Sequence, residues 1–231
     1  MLPLIRPALA LILLVLLAGC SGARDHPRAE RPQAQSRQAV AARPEQQGIR
    51  WRRSRSVGLP YAGRLVRGVQ LPAEGRFFFT WDPVARTSPN RPWRRFGTDR
   101  LVRITLRVVA SYARAHPRAP RVGIGDLSRP NGGEFGRRFG GLGHASHQNG
   151  LDVDVLYPRR DRRERSATAT AQVDRRLSQE LLNRFLRAGA RLVFVGSRSG
   201  LSGPARRVQR LPHHEDHMHV RFSARGAKLP R

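Results

Sequence analysis

Residues 143–154 read Gly-His-Ala-Ser-His-Gln-Asn-Gly-Leu-Asp-Val-Asp, and the rest of the chain is organised around them. The segment from 151 to 155 alternates apolar and polar side chains, which is typical of a half-buried β-strand. We expect its apolar members to face the core, and Asp152 and Asp154 to share the opposite face. Gly150 lets the loop that carries His147 turn into this strand.

A second stretch, residues 217–222, alternates in the same way and reads His-Met-His-Val-Arg-Phe. Its apolar side chains point into the core, so His217 and His219 point together to the other face. If the two strands lie side by side, these histidines converge with the aspartates of the first strand.

Imidazole and carboxylate groups are ligands that zinc takes, and a catalytic zinc site needs three of them plus an open position for water. The first stretch offers His147 and Asp154, and the second offers His217 and His219. Spacing alone leaves open which members of this set bind the metal.

The chain resembles a known family through several short strings that occur in order. His-x6-Asp followed by His-x-His is similar to the zinc peptidases of the lysostaphin, D-Ala-D-Ala carboxypeptidase and hedgehog type. The fuller set resembles the penicillin-insensitive murein endopeptidases. Its strings are Gly125-Asp126-Leu127-Ser128, Gly132-Gly133, Gly143-His144-Ala145-Ser146-His147-Gln148, Gly150-Leu151-Asp152-Val153-Asp154 and His217-Met218-His219-Val220-Arg221.

The resemblance implies a role for each site residue. Zn²⁺ is expected on His147, Asp154 and His219, and His217 is expected to be the catalytic imidazole. An alternative exchanges the last two, with His217 as the ligand and His219 as the base. Two more histidines, His144 and His214, are expected to bind the substrate or the developing oxyanion.

Three carboxylates near the two stretches carry weaker expectations. Asp152 is expected to orient a metal ligand rather than to bind the metal. Asp126 is expected to line the site or to support its structure. For Asp216 the sequence predicts no specific role.

The resemblance also implies the substrate, which is the D-alanyl–diaminopimelyl cross-link of peptidoglycan. One alternative is a D,D- or L,D-carboxypeptidase that trims stem peptides. Another, from a different class, is a non-catalytic envelope-binding module with a structural zinc. The oligomeric state is not predicted.

The formal net charge is +28, and only Lys228 among the 44 basic residues is a lysine. Such a charge favours anionic partners. The arginines are scattered without a recognised nucleic-acid motif, so we expect no nucleic-acid partner.

Cys20 is the single cysteine, so an intrachain disulfide is impossible, although the resembled enzymes carry disulfides. Residues 1–20 have a short basic start, an apolar run and Leu17-Ala18-Gly19-Cys20, which looks like a bacterial lipobox. We therefore expect a periplasmic lipoprotein, anchored in the outer membrane through lipidated Cys20, because Ser21 follows the cysteine. An ordinary signal peptide is the alternative.

Composition predicts three regions: the signal peptide 1–20, a disordered tether rich in Arg, Pro and Gln over 21–56, and a zinc peptidase domain over 57–231. Within the domain, apolar periodicity predicts helices over 99–115, capped by Thr98, and over 173–188. Residues 196–212 are expected to form a long loop. The predicted fold is α+β, with a small, mainly antiparallel sheet that carries the site and is flanked by helices.

Overall fold

The computed structural model describes residues 48–136 and 145–224. The predicted signal peptide, Cys20, most of the tether, His144 and the end of the chain lie outside these residues. Within the two described ranges, no helix is long and apolar enough to cross a membrane.

A seven-stranded sheet forms the centre of the domain. Its strands are β4 (Glu74–Gly75), β5 (Phe78–Thr80), β7 (Val122–Ile124), β8 (Asp152–Leu156), β9 (Leu192–Val195), β10 (Val208–Arg210) and β11 (His217–Arg221). They lie in the order β10-β9-β11-β8-β7-β5-β4. Four of the six strand pairings are antiparallel, and β5–β7 and β9–β10 are parallel. Together with two helices in the described residues, this confirms the predicted α+β class.

Two small antiparallel ribbons accompany the main sheet. The first pairs β1 (Arg55–Leu59) with β2 (Ala62–Val66), and the second pairs β3 (Val69–Gln70) with β6 (Phe96–Gly97). The second ribbon contacts the main sheet's loops, since Phe96 and Ser128 exchange backbone hydrogen bonds.

Helix α1 spans Asp99–Ala115, as predicted, and the Thr98 hydroxyl caps it by accepting a hydrogen bond from the Leu101 N–H. Helix α2 spans Arg175–Arg187, which is shorter than the predicted 173–188. Asp174 caps the helix, because its carboxylate accepts a hydrogen bond from the Leu177 N–H, and the helix therefore starts at Arg175, two residues later than predicted.

One hydrophobic core joins the helices to the sheet. Its central side chains are almost fully buried, and they come from α1, α2, β8 and β11: Leu101, Val102, Tyr112, Leu181, Leu182, Phe185, Val153, Val155, Met218 and Val220. The predicted inward positions of the two motif strands are therefore confirmed.

The structure differs from the sequence prediction at two segments. Residues before 57 are packed on the domain: Ile49 is buried in the core, and the Ser54 hydroxyl hydrogen-bonds to Asp99. The predicted loop over 196–212 contains β10, which pairs in parallel with β9. A three-residue edge strand of mixed polarity gives too short a pattern to predict.

Candidate metal and catalytic site

The site is built on the pairing of β8 with β11. The strands are antiparallel, and the register places His219 opposite Asp154 and Arg221 opposite Asp152. Because alternate side chains share a face, His217, His219, Asp152 and Asp154 all lie on one side of the sheet. The predicted convergence of the two motifs is confirmed.

The loop before β8 supplies His147. Its backbone is left-handed, with φ 68°, and its N–H donates to Asp152 Oδ2 at 3.0 Å. Gly150, at φ 72°, turns the chain into β8 as expected, and a Cβ there would lie 2.7 Å from Leu65 Cδ1. Asp152 therefore fixes the loop, and the loop aims His147 at the strand face.

Three of the predicted ligands come together in a geometry suited to a metal ion. Each of His147, Asp154 and His219 is buried and offers one ligand atom, and these atoms all lie within 4.8 Å of one another. Asp154 Oδ1 is 3.3 Å from His147 Nε2 and 3.1 Å from His219 Nδ1. Tetrahedral zinc with bonds near 2.0–2.1 Å separates its ligand atoms by about 3.3 Å, so these two separations fit such a metal.

The local polarity also fits a cation. Asp154 Oδ1 is buried without a conventional hydrogen-bond partner among the described residues. Burial alone would raise the pKa of Asp154, but the nearby His147 and His217 outweigh it and hold that pKa well below its ordinary value. A carboxylate that stays ionised in a buried site is suited to hold a metal.

Asp152 contacts two of these candidate ligand residues, His147 and His219. Besides the bond to the His147 backbone, its Oδ1 lies 3.5 Å from His219 Nε2, the ring nitrogen away from Asp154. Arg221 donates from Nε to the same carboxylate at 2.8 Å. This arrangement matches the orienting role expected of Asp152, since carboxylates commonly fix ligating imidazoles.

His217 stands at the edge of this cluster, with Nε2 3.9 Å from Asp154 Oδ1. Its Nδ1 is 2.7 Å from Asp216 Oδ1, and Asp216 in turn accepts a 2.5 Å bond from the Ser166 hydroxyl. Since a carboxylate only accepts, the proton sits on Nδ1 and Nε2 faces the cluster. Burial lowers the pKa of His217, but Asp154 and Asp216 outweigh it and raise that pKa above its ordinary value.

His214 lies next to His217, with 4.9 Å between the ring centroids. Its Nδ1 is 2.8 Å from the Pro212 carbonyl oxygen and must donate to it. Burial and the neighbouring His217 lower the pKa of His214, which favours the neutral ring. In that form Nε2 is an acceptor, so His214 can donate to an oxyanion only when it is doubly protonated.

Asp126 supports the site through the backbone. Its carbonyl accepts from the Asp154 N–H at 2.9 Å, and its buried carboxylate pairs with Arg94 and accepts from Asn90 Nδ2. The neighbouring Phe135 ring lies 6.0 Å from the His147 ring. These contacts agree with the expected supporting role of Asp126.

Sequence reasoning missed the pair Asp216 and Ser166. Asp216 precedes β11, so strand alternation says nothing about where its side chain points. Ser166 comes from a loop fifty residues earlier. The Asp-His dipeptide at 216–217 was the only available signal, and it is too common to indicate a contact.

Comparison with known proteins agrees with the resemblance seen in the sequence. The model of the penicillin-insensitive murein endopeptidase family matches residues 56–190, a range that includes His147 and Asp154 but ends before β11. No curated protein matches the chain. The family match covers more than half of the sequence and confirms the predicted family. The chain belongs to the penicillin-insensitive murein endopeptidases, a family of peptidases whose substrate is peptidoglycan.

Proposed function

We propose that this protein is a zinc-dependent murein endopeptidase that hydrolyses the D-alanyl–diaminopimelyl cross-link of peptidoglycan. The observation that carries the proposal is the buried cluster of His147, Asp154 and His219, in which Asp154 Oδ1 lies 3.3 Å from one imidazole nitrogen and 3.1 Å from the other. The family match supplies the class of reaction and the polymer.

His147 Nε2, Asp154 Oδ1 and His219 Nδ1 would hold the metal, because two imidazoles and one carboxylate suit zinc. When bound there, the ion supplies a Lewis acid for the scissile carbonyl and makes water a better nucleophile near neutral pH. His219 is the better ligand of the two β11 histidines, because its Nδ1 is closer to Asp154 than His217 Nε2 is.

His217 moves the proton. Its Nε2 takes a proton from the water that adds to the amide carbonyl, and it gives that proton to the leaving amine as the C–N bond breaks. Asp216 holds Nδ1–H, which fixes the tautomer and stabilises the imidazolium between these two transfers.

The other two predicted site histidines, His214 and His144, are assigned to substrate binding. Neutral His214 presents Nε2 as an acceptor for a substrate N–H, and it stabilises the oxyanion only when its ring is protonated. His144 is assigned to the oxyanion from the sequence motif alone.

We also propose that Cys20 carries lipid and holds the enzyme at the periplasmic side of the outer membrane. Labelled palmitate should enter the full chain and not a Cys20→Ser variant. Equal labelling of both would refute the lipid anchor, and it would not bear on the proposed catalytic site.

The activity is tested on cross-linked sacculi, with the full chain loaded with zinc or stripped by a chelator and the products read by mass. Zinc-restored conversion of muropeptide dimers to monomers is the expected result. Release of single D-Ala residues would instead identify a carboxypeptidase. If folded, zinc-loaded protein cleaves nothing, the result would support the alternative of a non-catalytic binding module.

A matched pair of variants separates His217 from its neighbours. His217→Asn should abolish dimer cleavage and still bind zinc, because the ligand set is intact. His213→Asn is the control, since His213 is exposed and its left-handed backbone, at φ 65°, tolerates asparagine. Full activity of the His217 variant would refute its catalytic role.

A further inference from the structure

Away from the metal cluster, a cavity of about 440 Å³ lies between the start of the described domain and the β3–β6 ribbon. Among the described residues, its wall includes three arginines and no carboxylate. The residues that matter most are Arg50, Arg52, Gln70, Leu71, Arg95 and Phe96. None of them belongs to the candidate catalytic site.

Arg95 is the unusual member of this wall. Its side chain is buried, with 7% of the residue exposed, and no described residue forms an ion pair with it. Nη1 donates to the Leu71 carbonyl at 2.7 Å, while the buried Nε has no hydrogen-bond partner in the described structure. Burial lowers the pKa of Arg95, yet an arginine stays charged in proteins.

The preceding residue, Arg94, shows how this protein pairs the charge of a buried arginine. Arg94 is also buried, and its guanidinium pairs with the Asp126 carboxylate through Nε and Nη2. Arg95 instead lines the cavity, and no carboxylate of the described residues pairs with it. A buried charge without an ionic partner is costly, so this guanidinium is suited to an anion that enters the cavity.

We propose that this cavity, defined by Arg50, Arg52 and Arg95, is a binding site for a phosphate group. The Arg95 guanidinium binds phosphate oxygens, because its planar array of N–H donors matches the geometry of that group. Arg50 and Arg52 are exposed at the rim and add two further positive charges. Three cations without an acid favour a phosphate group, whose several oxygens can be shared among the three guanidinium groups, over a single carboxylate.

A second arginine-rich cavity, between the end of α1 and the start of α2, does not show the same features. Asp174 lines it, and its Arg159 is already paired with Asp161. The phosphate site is therefore assigned to the Arg95 cavity alone.

The test measures binding of inorganic phosphate to the full chain by calorimetry. Arg50→Gln/Arg52→Gln removes the rim charges without touching the core, and we expect it to weaken phosphate binding at least about tenfold. Arg53→Gln/Arg55→Gln is the matched control, because these exposed arginines lie beside the cavity and do not line it. The control should bind phosphate like the unmodified chain.

Two results would overturn the proposal. The first is that phosphate does not bind. The second is that the control pair loses as much affinity as the rim pair, which would mean diffuse attraction to a basic surface. Circular dichroism of each variant shows that its fold is intact.

Vesicles identify the source of the phosphate. If vesicles containing phosphatidylglycerol bind the chain and compete with inorganic phosphate, and phosphatidylcholine vesicles do not, the ligand is a lipid headgroup. If inorganic phosphate binds and neither vesicle competes, it is a free phosphate. Both results support the site, and neither depends on peptidase activity.

Discussion

Asp216→Asn should slow catalysis without damaging the metal cluster. The side chain contacts His217 Nδ1 at 2.7 Å and none of the three proposed ligands. A hydrogen bond between charged partners contributes about 1.5–3 kcal/mol. Because 42% of the Asp216 side chain is exposed, solvent screens the interaction and the lower value applies. A loss of about 1.5 kcal/mol in the transition state lowers kcat about tenfold.

The pH profile separates this role from a structural one. Asp154 and Asp216 raise the pKa of His217, so removing the Asp216 charge lowers that pKa. A base must be neutral to act, and the acidic limb of the kcat profile should therefore move to lower pH. KM should change little.

The assay follows cleavage of a purified cross-linked muropeptide dimer across pH. Glu215→Gln is the control, because this neighbouring carboxylate accepts from the Arg198 N–H and has no contact with His217 among the described residues. The reasoning is refuted if Asp216→Asn keeps the full kcat, or if its acidic limb moves to higher pH.

Three further predictions concern the metal, the core and acid stability. Asp152→Asn should weaken zinc binding about 10- to 100-fold in a chelator competition, because Asp152 orients both His147 and His219; unchanged affinity would contradict this role. Phe185→Ala, at a fully buried site on α2, should lower the free energy of unfolding by about 3–5 kcal/mol in a denaturant titration. Asp82 pairs with Arg91; burial raises its pKa, but the bonds from Arg91 and the Ala85 and Val84 N–H groups outweigh this and leave it below the ordinary 3.8. The stability that Asp82 contributes is therefore complete above about pH 4 and is lost as the pH falls through the lowered value. The difference in unfolding free energy between the unmodified chain and Asp82→Asn should shrink on acidification, and a constant difference would refute the argument.

The sequence predicted those features whose cause is local or repeats along the chain. Helix α1 has a clear apolar period and a Thr98 cap, so its bounds follow from the pattern. The faces of β8 and β11 follow from strict alternation, and Met218 and Val220 are fully buried as expected.

The features that were missed depend on contacts between distant segments. The orienting pair of Asp216 and Ser166 forms across fifty residues, outside any regular strand. The pairing of β10 with β9 joins an edge segment whose own pattern is too short to indicate a strand. The sequence also cannot predict that Arg95 lacks an ionic partner among the described residues. Its neighbour Arg94 is the same residue type, yet it is paired with Asp126.

The family match ends at residue 190, so the position of the β11 histidines rests on the fold. Burial of Met218 and Val220 fixes which face of β11 points inward, and the register then places His219 opposite Asp154. A slip of one residue would bury His219 in the core and turn Met218 towards the site, at the cost of both strands' apolar contacts. The hydrophobic alternation that holds the sheet together is thus also what assembles the candidate metal-binding cluster. For this reason, the placement of His219 beside Asp154, beyond the matched range, follows from the packing of the two strands.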